Sequence, residues 1–234
     1  MDINTEFLRR YIPHSMEYFL YLSRLHQLQS LSKEQILEAI KTACDFFNMP
    51  FPNVADTTGH PDYGTMFASS NQMSYDDDYI CYDLQELAYL HVTTYNALTL
   101  VLTHEATHRR TQMYNFPGPN KGSWANECIS DWYMGVRAGM CMMKDISNLM
   151  EGLGTSNGSD SHPAGFIRKA FIQNGFQTGY LNRSEHGANF EYFIKDFKAF
   201  YNQMFPTLEK EYPKYFDIIG RNFHKKTFNL NNNL

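Results

Sequence analysis

Cysteine is sparse. The four residues Cys44, Cys81, Cys128 and Cys141 are widely separated and form no CxxC pair. That spacing offers neither a thiolate zinc site nor a dithiol redox motif, and it leads us to expect free thiols in a reducing compartment. Basic charge is also in short supply, with 20 Lys and Arg against 25 Asp and Glu, a formal net charge of −5 and a pI near 6.0. A chain so balanced has no general attraction for a phosphate backbone or an anionic lipid surface, so no nucleic-acid partner is expected. The opening MDINTEFLRR carries acids where a secretory leader needs a basic start and an apolar core, and the expected localisation is cytoplasmic. One uncharged stretch, 87–103, approaches the length of a membrane span, but His91, Asn96 and four threonines lie within it. A buried helix accounts for the same composition, and no membrane association is expected.

An apolar content of 43% in 234 residues suffices for one core, and a single domain over 1–228 is expected, with an asparagine-rich frayed tail at 229–234. Its parts are a helical hairpin at 4–48, a core at 60–180 and C-terminal helices at 188–228. Within the hairpin, helices at 4–29 and 32–48 are separated by Ser32, which can cap the second, with Gln35 reaching back as a capping box. Pro50 and Pro52 end that helix and a loop follows. Strand-like composition at 65–69 and 79–83 predicts a small antiparallel pair, with Asp76, Asp77 and Asp78 in its solvated connection. The segment 84–113 reads as mostly helical, the NFPGPN stretch at 115–120 as a break, and 123–143 as the next helix. A Gly, Ser and Asn-rich loop at 152–160, helices at 163–180 and 188–204, and a less regular segment from Pro206 complete a mainly α fold with a small antiparallel β element (α+β).

The chemistry concentrates in His104-Glu105-Ala106-Thr107-His108, an HExxH motif inside an uninterrupted helical stretch. A spacing of four puts both imidazoles on one helix face, one turn apart, where they can share a single zinc ion. Glu105, on the same helix, can reach a metal-bound water as general base without being a ligand. A catalytic zinc needs a third protein ligand, and Glu127 stands on a separate helix beyond the break. Asp131, one turn after Glu127, can accept the second ring N–H of a zinc-bound histidine. The plainer alternative is a pair of solvated acids, against which the bulky Trp124, Ile129, Trp132 and Met134 argue. His14, His26, His60, His91, His186 and His224 have no ligand spacing among themselves, although His60 could approach the cleft from its loop.

HEATH at 104–108 followed by ECISD at 127–131 resembles the gluzincin clan of zinc metallopeptidases. Ser161-His162-Pro163 with Arg168 beyond resembles the HPxxxxR element of the CaaX-prenyl-protease and heat-shock-type membrane metallopeptidases. The resemblance covers mainly 60–180. It implies a zincin-like core with one Zn2+ held by His104, His108 and Glu127, and hydrolysis of a peptide or protein substrate with Glu105 as base. It also implies that His162 and Arg168 face the cleft and steady the substrate carbonyl or the oxyanion, and that 79–83 is an edge strand holding the substrate extended. The chain lacks the several membrane helices of those relatives. A catalytically silent zinc scaffold that binds peptides is the alternative expectation.

Overall fold

The structure, a computed structural model, describes residues 16–59, 67–71, 74–113, 124–154, 158, 162–184 and 190–211. In chain order the elements are helices α1 (Met16–Gln29) and α2 (Lys33–Asp45), strands β1 (Asn53–Asp56), β2 (Phe67–Asn71) and β3 (Ser74–Tyr82), and helices α3 (Leu84–Tyr89), α4 (Tyr95–Met113), α5 (Trp124–Met140), α6 (Ile146–Gly154), α7 (Gly165–Leu181) and α8 (Phe190–Glu211). The fold is mainly helical, as expected. The capping box forms: Ser32 Oγ accepts from the Gln35 amide and Gln35 Oε1 accepts from the Ser32 amide. Residues 4–15, the 115–120 break, His14, His60, His186, His224 and the tail lie outside the described residues.

The β element differs from the expected antiparallel pair. It is a mixed three-stranded sheet of order β1-β3-β2, in which β1 runs parallel to β3 and β2 antiparallel to it. Strand β1 falls where the sequence suggests only loop, because four residues beside two prolines carry almost no periodicity. The segment 79–83 is correspondingly no edge: Tyr79, Ile80, Cys81 and Tyr82 pair with β1, and the first three pair with β2 as well. The edge strand packed against α4 is β2. The acidic run is not a solvated connection either, since it lies inside β3 and Asp78 is buried.

Three helical expectations also shift. The 84–113 stretch breaks at 90–94, where His91 takes a positive φ of 63°, so its uncharged part is divided between two helices. Among the described residues no helix is long and apolar enough to cross a membrane. Helix α6 takes in 152–154, so the Gly-rich loop starts later than expected, and α8 continues through Pro206 to Glu211. Burial of Tyr201 and Leu208 on either side anchors α8 where the proline removes one donor.

Helix α4 is enclosed by protein. Leu98, Leu100, Leu102 and Ala106 are buried, and so are Thr99, Thr103 and Thr107. Each of these threonine hydroxyls donates to the carbonyl four residues earlier, which removes the cost of burying it. One residue past the motif, the fully buried Arg109 donates from Nε and Nη2 to the two carboxylate oxygens of Asp78, each at 2.6 Å. Its remaining contacts are Cys44 Sγ at 3.0 Å and the Pro50 carbonyl at 3.1 Å. One guanidinium therefore ties α4 to β3 and to the end of α2.

Helices α5 and α7 meet backbone to backbone. A Cβ on Gly135 would stand 2.2 Å from the Ile172 carbonyl oxygen, and one on Gly175 would stand 2.0 Å from that of Trp132. The glycines permit an approach that any side chain would block. Contacts of Gly135 with Ile172 and of Gly139 with Phe176 advance together along both helices, so the two run parallel, and the same offset brings Asp131 to Arg168.

Two outcomes follow for stability. Gly175→Ala should lower it by about 1–3 kcal/mol or more through overpacking, seen as a lower urea midpoint with an unchanged slope. Arg109→Met should cost about 3–5 kcal/mol by stranding the Asp78 charge, and pairing it with Asp78→Val should recover part of that loss.

Candidate metal centre

The second half of α4 and the first half of α5 face each other across the site. His104 and His108 stand on one face of α4, as their spacing requires, and their Nε2 atoms are 3.1 Å apart. Glu127, in the first turn of α5, lies between them: Oε2 is 3.2 Å from His104 Nε2 and Oε1 is 3.4 Å from His108 Nε2. The three side chains offer ligand atoms that all lie within 4.8 Å of one another, and together they could hold a metal ion. Two donors bound at the usual zinc distances with a tetrahedral angle stand about 3.3–3.4 Å apart, which matches the spacings here. Glu127 Oε2 is buried with no hydrogen-bond partner, although buried carboxylate oxygens are normally satisfied. The donor set therefore suits a cation.

Behind these three side chains sits a buried support. Asp131 Oδ1 is 3.0 Å from His104 Nδ1, on the side of the ring where the sequence reading put an acceptor, but the pair lacks hydrogen-bond geometry. The same carboxylate accepts two 2.7 Å hydrogen bonds from Arg168 Nε and Nη2. Arg168 thus reaches the site region from α7, with Nε and Nη2 turned to Asp131. His162 also reaches the site: its Nε2 is 3.3 Å from Glu127 Oε2 and its side chain is 49% exposed, in contrast to the 6–15% of His104, His108 and Glu127. Residues that sequence reasoning missed are Ser130, whose Oγ lies 3.3 Å from His108 Nδ1, and the pairs Arg109 with Asp78 and Arg110 with Glu191. Ser130 carried a usable signal, since it adjoins Asp131 on the helix already assigned to the ligands.

Electrostatics separate the roles. Burial pushes Glu105 up to about 7, and the nearby charges of Glu127 and Glu86 act the same way against that of His104. Burial likewise pushes His108 down to about 4. For His104 burial acts downward too, but the Asp131 and Glu127 carboxylates outweigh it and raise the ring to about 10. Glu127 goes the other way: burial would raise it, and the two histidines hold it well below the usual carboxylate range.

No family model, no curated protein and no solved structure matches this chain.

The raised His104 value sets a sign. In the chelated protein, its contribution to stability is full below its ordinary value of 6.5 and is lost as pH rises through about 10. A metal must displace that proton, so zinc binding near neutral pH should release at least about one proton per ion and weaken as pH falls. Calorimetry in buffers of different protonation enthalpy measures the number, and a value near zero would mean that His104 is neutral before binding.

Proposed function

We propose that the protein is a zinc-dependent peptidase of gluzincin type. The observation that carries this reading is the convergence of His104, His108 and Glu127 at ligand spacing, with a buried carboxyl, Glu105, next in sequence to the first ligand and outside the ligand set. Two imidazole nitrogens and a carboxylate suit zinc among the common divalent ions. A zinc ion with three protein ligands keeps a position for water, acidifies that water and polarises a carbonyl.

The chain's own residues do the rest. Glu105 takes a proton from the attacking water on its carboxylate and passes it to the leaving amine, a task suited to a group titrating near 7. Asp131 keeps the His104 ring turned so that Nε2 faces the centre, and Arg168 keeps Asp131 in place. His162, half-exposed beside Glu127, would lie next to a substrate carbonyl oxygen brought to the centre. An extended peptide would pair with the outer edge of β2, the strand against α4.

Metal analysis combined with cleavage of a peptide library tests the proposal. Wild type and Glu105→Gln should each carry about one zinc per chain, and the variant should cleave about 10²–10⁴ times more slowly. Equal cleavage by both would remove Glu105 from the mechanism. Zinc in both, with tight peptide retention and no cleavage by either, would identify a silent binding scaffold.

A further inference from the structure

We infer that Ser130 is a positioning residue for the metal ligand His108, doing for that ring what Asp131 does for His104. The inference rests on the metal-binding reading above.

The geometry assigns the rings one partner each. His104 Nδ1 stands 3.0 Å from Asp131 Oδ1 and His108 Nδ1 stands 3.3 Å from Ser130 Oγ. Ser130 and Asp131 are consecutive and completely buried. They follow Glu127 by three and four residues, so they lie one helical turn from it, on the same face. Glu127 meets the two Nε2 atoms while the residues one turn on meet the two Nδ1 atoms. Each imidazole thereby has an α5 side chain beside both of its nitrogens.

A neutral imidazole carries a single N–H. If Ser130 Oγ accepts that proton from Nδ1, the lone pair of His108 is left on Nε2, the atom that faces Glu127 and His104. The tautomer protonated on Nε2 cannot bind a metal there, and the hydroxyl at Nδ1 favours the other one. Ser130 differs from Asp131 in bringing no charge, so it orients the ring without adding the electrostatic support that His104 receives.

The test compares wild type with Ser130→Ala, a change that preserves the helix and removes one oxygen. Zinc affinity is measured by competition with a chromophoric chelator, and the cobalt(II)-substituted proteins are compared by their visible absorption. Thermal unfolding of the chelated proteins serves as the structural control. The alanine variant should bind zinc about 10–100 times more weakly, with a shifted cobalt band and an unchanged unfolding midpoint. Equal zinc affinity and an identical cobalt spectrum would overturn the inference and leave the metal reading intact. Weaker binding that comes with a matching fall in the midpoint would also overturn it, since packing alone would then account for the loss. A wild-type protein that binds no zinc would bring down the metal reading and this inference together.

Discussion

A fully buried carboxylate, Asp131, fixes the site. Burying one charge is expensive unless charged or hydrogen-bonded partners surround it. Here Arg168 supplies two short charge-assisted hydrogen bonds, and the His104 ring lies against Oδ1, the oxygen that also accepts from Nη2. Those contacts join three helices: α5 carries the acid, α7 the guanidinium and α4 the imidazole. The glycine contact between α5 and α7 lets the pair form, because Asp131 and Arg168 continue the same parallel register by one turn. Had α7 been held off by ordinary side chains, Arg168 would reach Asp131 only by stretching, and the bidentate geometry would be lost.

Much of this site could be read from short-range pattern. HExxH needs only the helical repeat to put two rings together, and Glu127 with Asp131 needs only the same repeat on a second helix. The capping box at Ser32 is equally local. What stayed hidden depends on partners distant in sequence. Asp78 reads as solvent-facing because its neighbours are acids, and nothing in the sequence around Arg109 points to it. Their pairing over 31 residues is a property of the fold and not of either neighbourhood. Arg168 was visible as a site residue, but its target was not, since a motif states which residues gather and not which lone pair each one meets. The mixed sheet was missed for a related reason: β1 is four residues long, and a parallel partner has no turn beside it to betray the pairing.

Two buried ion pairs therefore flank the motif helix, one at each side of the ligands. Asp131 with Arg168 secures His104 from the α7 side, while Asp78 with Arg109 secures the residue after His108 to the sheet. Arg110 adds a tether to Glu191 at the start of α8. A buried pair seldom adds net stability over apolar packing of equal volume, so stability alone does not account for placing two of them here. Directional precision is a better account: a guanidinium fork meeting a carboxylate fixes both distance and orientation, which methyl groups sliding over one another do not.

That precision matters because the central group is poorly served by the protein alone. Glu127 Oε2 is buried without a hydrogen bond, and two imidazole nitrogens and a carboxylate are crowded at 3.1–3.4 Å. A flexible framework would relax this crowding by rotating one ring away or by letting Glu127 turn to solvent. Here each escape is opposed: Asp131 and Ser130 stand against the rings at Nδ1, and α5 is pinned behind Glu127 by its backbone contact with α7. The fold thus gathers two imidazoles and a carboxylate around one point, where a proton on His104 offsets the Glu127 charge in the metal-free protein and a divalent cation could take its place. Preorganisation of this kind moves the cost of assembling the site from the moment of metal binding to the folding of the chain.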